Sequence, residues 1–181
     1  MSQQPAVISL SAPVGPGDHI QGPKSAKVTV VEYGDFECPA CGQAHGAVRL
    51  LRDRFGDRLC FVFRHFPLRD VHPCAELAAE AAEAAGSQHR FWQMYDLLLE
   101  NQSHLTAGDL RQYAARAELD LKRFDSEMQD RLYAKRVQRD IASGKSSYIQ
   151  CTPAFFVNGV LRDVSFGLEH LERAIECELG Q

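Results

Sequence analysis

Cys38 and Cys41 are separated only by Pro39 and Ala40, in the segment 34-GDFECPACGQAH-45. Two thiols at this spacing can form a reversible disulfide or supply half of a metal site. The residues before them, 27-KVTVVEYGDF-36, are rich in β-branched and aromatic types and predict a buried strand ending in a Gly-Asp turn. After them, Ala44, Val48, Leu51 and Phe55 recur at the spacing of an amphipathic helix. Pro39 suits the first helical position, because its missing N–H would have no partner there anyway. Cys38 then falls on the helix N-cap, where free N–H groups and the positive end of the dipole stabilise a thiolate. Thiolate is the nucleophile, so Cys38 is expected to have a lowered pKa and some exposure. Cys41, one turn in and more buried, would resolve the mixed disulfide.

A zinc site would need two further ligands. No second Cys-x-x-Cys exists, and His65, His72 and Cys74 cluster in sequence without a standard ligand spacing to Cys38. No metal is expected. The other cysteines are 60, 74, 151 and 177. Cys60 and Cys177 read as small buried hydrophobes. Cys74 precedes an Ala-rich helix and is either a helix-start residue or, by the same N-terminus argument, a thiol with thiolate character. His45 reads as a surface residue one turn beyond Cys41, and 131-RLYAKRVQRD-140 as a solvated helix face.

The elements that must position the pair follow from periodicity. Residues 59-LCFVFRHF-66 predict a second strand, closed by Pro67, so the first seventy residues contain a βαβ unit with parallel pairing. An Ala-rich helix then runs from Cys74 to Ala85. Apolar stripes at Phe91–Leu98, Leu110–Ala117, Leu121–Met128 and Tyr133–Ile141 predict four more, the last ended by Ser143-Gly144. Strand signals return in 154-AFFV-157, followed by the hairpin turn 158-NG-159 and a partner strand from Val160 to Val164. Leu168, Leu171, Ile175 and Leu179 mark a closing helix. The order is α/β: a thioredoxin-like arrangement with an all-helical insertion between its βαβ and ββα halves. The expected boundaries are a flexible N-terminal arm at 1–24, the βαβ half at 25–70, the insertion at 71–145 and the ββα half at 146–181.

The 181 residues are 45% hydrophobic and 24% charged, with a net charge of −4, which suits a soluble globular chain. With no long basic block and no run of 18 apolar residues, neither nucleic acid nor membrane is expected as a partner. The first 24 residues lack the basic start and apolar stretch of a secretory signal, so a cytoplasmic location is the expectation, with thiols mostly reduced.

The segment 151-CTPAFFVNG-159 places a proline just before a short buried strand. The Thr152–Pro153 bond is either cis, as X-Pro turns held for a reason can be, or trans at the start of an edge strand. GDFECPACG, RHFPL, a helical insertion and TPAFFVNG together resemble the DsbA-like branch of the thioredoxin superfamily, over about residues 22–179. The resemblance implies that Cys38 is the exposed nucleophile and Cys41 the resolving thiol. It implies that Pro153 is a cis-proline preceded by Thr152, in a loop that lies against the pair and offers backbone groups to an extended peptide. Pro39 and Ala40 would touch the same substrate. Glu32 takes the place of a buried acid beneath the pair, where a raised pKa would let it relay a proton for Cys41; the alternative is a partly solvated strand-end residue.

Two departures stand out. Ala40 occupies the place of a His that helps hold the thiolate in strongly oxidising members, so the Cys38 pKa is expected to be less depressed. Cys151 stands where relatives usually have Gly, either as a third redox thiol or as a small residue tolerated in a tight loop. The reading is a protein disulfide oxidoreductase that uses no organic cofactor, acts on protein or peptide thiols and disulfides, and is served by a thioredoxin or glutathione system. The helical insertion is expected to cap the active-site side and shape a groove between itself and the proline loop. One rival is a kappa-type glutathione transferase or isomerase, a class that tends to use Ser in place of the pair. The other is a redox-gated chaperone or metal-binding module, which stoichiometric metal after purification would support.

Overall fold

The strand before the cysteines, β2 (Val28–Gly34), is buried at every residue but Thr29. Such a continuous apolar run fits a strand covered on both faces. In the computed structural model, which describes residues 7–165 and 167–180, it lies at the centre of a five-stranded mixed sheet. It pairs parallel with the equally buried β3 (Leu59–His65) and antiparallel with β4 (Ala154–Val157). The edges are β1 (His19–Gln21) beside β3 and β5 (Val160–Arg162) beside β4. The sheet order is therefore β1-β3-β2-β4-β5.

The expected helix over the pair is α1 (Pro39–Phe55), which buries Cys41, Ala44, Val48, Leu51 and Phe55, and also His45. The closing helix is α7 (Glu169–Leu179), with Leu171 and Ile175 buried. Between β3 and β4 run α2 (Ala75–Gly86), α3 (Phe91–Glu100), α4 (Ala107–Arg116), α5 (Leu121–Gln129) and α6 (Ala134–Ser146). Seven alanines of α2 are buried, and their small side chains let α3, α4, α5 and α6 all pack against it.

In its elements and their packing, the structure departs from the sequence reading in four places. Strand β5 stops at Arg162, two residues short of Val164. Helix α6 continues through Ser143-Gly144: a Cβ on Gly144 would lie 2.5 Å from the Phe66 ring, so this glycine serves close packing within the helix and does not end it. The charged run 131–140 is anchored rather than freely solvated. Arg131 binds the buried Glu80 through its Nε at 2.8 Å, and Arg136 pairs with the buried Asp140. Finally, within the arm expected to be flexible, the described part, residues 7–24, is tied down. Leu10 N–H donates to Gly159 O at 2.8 Å, and Leu161 N–H donates to Ile8 O at 2.9 Å. Ile20 lies opposite Val62 in β3. The buried Arg64 guanidinium donates to the carbonyls of Ala12 and Pro13 at 2.9 and 3.0 Å and to both carboxylate oxygens of Asp18. Exposed sheet edges carry unpaired backbone groups; the segment's own β1 lies along β3, and Ile8–Leu10 lie along β5. Residues 1–6 lie outside the described residues.

Candidate active site

The first turn of α1 is built as its sequence demands. Cys38 is the N-cap with extended backbone, and Pro39 occupies the first helical position. The carbonyl of Cys38 accepts from the N–H groups of Cys41 and Gly42 at 3.0 and 3.2 Å. Cys38 is 7% exposed and Cys41 only 1%. Pro39 and Ala40 between them face solvent.

Opposite lies the loop before β4. The Thr152–Pro153 bond is cis, and Cys38 Sγ donates to the Thr152 carbonyl at 3.3 Å. Thr152 is buried, while Cys151 beside it is exposed. Ala40, Cys151, Thr152 and Pro153 line one wall of a groove of about 740 Å³. Ala44, Ala47 and Leu51 of α1 line the rest of it, with Val164, Leu168 and the carboxylates Glu169 and Glu172. The sequence reading placed the groove between the insertion and the proline loop. None of its lining residues belongs to the insertion, whose contact with α1 is made through α3.

The two thiols are held in opposite protonation states. The Cys38 pKa is brought down to about 5, chiefly by a hydrogen bond from the Cys41 thiol, then by the Thr152 side chain and the N–H groups of Cys41 and Ala40, against the opposing effect of burial. Cys41 is pushed well above its ordinary value by burial, by that same hydrogen bond, and by the charges of Glu32 and Cys38. The depression of Cys38 is large although Ala40 offers no side-chain donor; the partner thiol and the helix N-terminus take that role. Glu32 is fully enclosed at 1% exposure beneath the pair, which overturns the partly solvated alternative. Burial raises its pKa to about 8, assisted by the Cys38 charge and opposed by the Tyr95 hydroxyl, which donates to its carboxylate at 3.5 Å.

Asp35 and Glu37 have no place in the sequence reading, and His72, Cys74 and His45 stand differently from it. Asp35 is buried, and its backbone N–H donates to Cys41 Sγ at 3.4 Å. Its carboxylate accepts from the N–H groups of Glu37 and Leu68, both at 2.8 Å, and from His72 Nδ1 at 2.7 Å. An Asp accepting from the N–H two residues on is a common turn device, so the sequence held a signal for part of this. His72 has its pKa raised: burial works against it, but the bond to Asp35 and the charges of Asp35, Cys38 and Glu37 prevail. Glu37 accepts from Cys74 N–H at 2.6 Å. Cys74 itself has its pKa raised by burial and by the charges of Glu37 and Asp109, so thiolate character is overturned there. His45 is buried beside the pair rather than on the surface, with Nε2 2.8 Å from Asp96 Oδ1 and its ring against Tyr95.

Gln102, between α3 and α4, left no trace in the sequence pattern. Its amide Nε2 donates to the carbonyls of Phe36 and Cys38 at 3.0 and 2.7 Å, clamping the cysteine turn to the insertion. The clamp needs Gly42, since a Cβ there would come within 2.7 Å of Gln102 Cδ. Gly42→Ala and Gln102→Ala should therefore act on the same contact. Each is expected to lower stability by about 1–2 kcal/mol, and the double variant should lose little more than the worse single one. Urea unfolding of the four proteins measures this, and additive losses would show that the two residues act separately.

Among the described residues, one group of His, Cys, Asp or Glu is close enough to hold a metal: His19, His65 and Glu83. None of the cysteines belongs to it. Glu83 Oε1 already receives hydrogen bonds from His19 Nε2 and His65 Nε2 at 2.9 and 2.8 Å, and Arg136 approaches it to 3.6 Å. That neighbouring guanidinium disfavours a cation, and the group joins β1, β3 and α2 instead.

A central parallel pair, an antiparallel hairpin, a cysteine pair at a helix N-cap and a cis-proline loop against it define a class. The chain belongs to the thioredoxin family, whose pattern, described as thioredoxin, matches residues 15–177. Within that superfamily it is DsbA-like. It superposes on the oxidised crystal structure of BdbD from Bacillus subtilis with a TM-score of 0.86 and 25% identity, covering 97% of this chain and 99% of that one. Wolbachia pipientis alpha-DsbA1 gives a TM-score of 0.79 at 20% identity over 94% of each chain, a likeness of fold. Curated relatives are closer in sequence and much longer. The protein named Na(+)/H(+) antiporter NhaA 1 from Salinispora arenicola (strain CNS-205) is 51% identical over 170 residues, which are 93% of this chain and 26% of that protein. Its namesake in Mycolicibacterium vanbaalenii is 39% identical over 179 residues, 96% of this chain and 29% of that one. The chain thus spans between a quarter and a third of these relatives. No helix among the described residues is long and apolar enough to cross a membrane.

Proposed function

We propose that this protein is a thiol–disulfide oxidoreductase acting on protein or peptide substrates, with Cys38 as nucleophile and Cys41 as resolving thiol. The observation that carries the reading is the opposed protonation of the pair: Cys38 at about 5 faces the Thr152 carbonyl, while Cys41 stays a buried thiol above the protonatable Glu32. An extended substrate lies along Thr152 and Pro153, with Pro39 and Ala40 at its side and the groove beyond taking its side chains. The Cys38 thiolate attacks a substrate disulfide, forming a mixed disulfide and releasing one substrate thiolate. Cys41 then passes its proton to Glu32 and attacks Cys38 Sγ; the Cys38–Cys41 bond forms and the second substrate thiolate leaves. Run backwards, the same steps oxidise a substrate dithiol. No organic cofactor takes part. The proposal concerns this unit alone, not the ion transport named for its longer relatives.

A low-pKa Cys38 stabilises the reduced pair and leaves readily as a thiolate, and both effects make the couple more oxidising. Equilibration with a glutathione series should place it between thioredoxin and DsbA, that is between about −270 and −120 mV. A value at or below the thioredoxin figure would assign the protein to the reductases. Failure to form any Cys38–Cys41 disulfide would remove the redox reading. In a cytoplasmic setting, a couple in this range rests reduced against the glutathione pool and acts on substrate disulfides. A glutathione or thioredoxin system then returns it to that state.

A further inference from the structure

Cys151 is the one thiol of the cleft that the proposed chemistry leaves unused. It is exposed, and it lines the groove together with Ala40 and Pro153. Its neighbour Thr152 supplies the carbonyl that touches Cys38 Sγ at 3.3 Å, and consecutive Cα atoms stand about 3.8 Å apart, so the third thiol sits one residue from that contact. The stretch that carries it is loosely tied. Helix α6 ends at Ser146 and β4 begins at Ala154, and among the described residues no hydrogen bond outside the helices and strands reaches Gln150 or Cys151.

We propose that Cys151 is a second resolving thiol for disulfides formed on Cys38, a role that rests on Cys38 being the nucleophile. When Cys38 carries a mixed disulfide, the Cys151 thiolate attacks Cys38 Sγ. The Cys38–Cys151 bond forms, the bond to the outside group breaks, and that group leaves as a thiolate; the proton lost by Cys151 goes to solvent. Two protein thiols are oxidised and one external disulfide is reduced. Resolution by Cys41 leaves the groove open for the next peptide. Resolution by Cys151 pins the proline loop to the active sulfur and occupies the place where an extended substrate would lie, so the two exits give an available and an occluded oxidised form.

The test uses Cys41→Ser protein, with Cys41→Ala as a second variant should the first fold poorly, each with and without Cys151→Ser. Reduced protein is mixed with glutathione disulfide and followed by intact mass and by peptide mapping. With Cys151 present, the glutathione adduct on Cys38 should be transient, giving way to a species two hydrogens lighter than the dithiol that yields a Cys38–Cys151 linked peptide. An intramolecular thiol acts at an effective concentration in the millimolar range, so adduct loss should be roughly tenfold or more faster than in the Cys151→Ser protein. Equal adduct lifetimes with and without Cys151 would overturn the proposal while leaving Cys38 as the nucleophile. If Cys38 takes up no glutathione in any variant, both the proposal and the reading beneath it fall.

Discussion

Replacing Cys38 by Ser should reduce disulfide exchange by roughly 10³-fold or more, because a hydroxyl at this site is neither ionised nor nucleophilic toward sulfur. Cys41→Ser should behave differently, taking up substrate and retaining it on Cys38 for as long as no other thiol intervenes. The contrast follows from the protonation of the pair. With its pKa at about 5, Cys38 is almost wholly thiolate at neutral pH, whereas a free cysteine near 8.5 is ionised only to a few per cent. Alkylation of the reduced protein should therefore rise through about pH 5 and level off above it, with the thiolate absorbance following the same curve. The linkage to stability has a definite sign. The folded pKa lies below the ordinary value, so reduced protein gains stability as the pH rises from about 5 towards 9 and loses it as the pH falls through 5. Oxidised protein lacks this dependence. A Cys38→Ser protein with near-normal exchange, or an alkylation curve centred near pH 8.5, would contradict the assignment.

Glu32→Gln is expected to slow catalysis and strengthen the fold together. Loss of the proton acceptor for Cys41 should slow the resolving step by about 10²-fold, the low end of what general bases contribute. That step in the wild type should accelerate as the pH rises through about 8, and the variant should lack this limb. Stability moves the opposite way. Between an ordinary 4.5 and about 8, folded Glu32 keeps a proton that the unfolded chain has given up, so wild-type stability falls as the pH rises across that window. The full gap corresponds to roughly 5 kcal/mol. Gln forgoes that penalty but buries an amide with few partners, at about 1–3 kcal/mol, so a net gain of about 2 kcal/mol is expected at pH 8 and none at pH 4. Unfolding measured at the two pH values checks it. A variant less stable than wild type at pH 8 would show that Glu32 is not held protonated.

Strands β2 and β3 could be read directly, since runs such as VTVV and LCFVF have few other uses in a soluble chain. The cysteine pair, Pro39 and Pro153 were equally legible, because each is a residue whose backbone or thiol chemistry restricts where it can stand. What escaped notice acts across long stretches of sequence. Gln102 reaches carbonyls 64 and 66 residues away, and a polar residue on a loop shows nothing of this in local pattern. A lowered Cys38 pKa is legible from its place at the helix N-terminus, but its largest cause, the thiol of Cys41, is not. The groove was assigned to the wrong flank because periodicity indicates which face of α1 is apolar, not which neighbour lies beside its outer face.

The segment that lies along both margins of the sheet has a consequence for how the molecule is made. Ile8 bonds to Leu161 and Ile20 faces Val62, so this stretch has partners some 150 and 40 residues further along the chain. During synthesis it emerges before either partner exists. Its first contact becomes available once β3 has left the ribosome, and its second only when the Asn-Gly hairpin near the far end appears. Pairings of such large sequence separation form slowly, and domains are completed only after their last strand is released. The segment is thus made before its partners and closes after them, and until it does, the nascent domain keeps an open margin on either side.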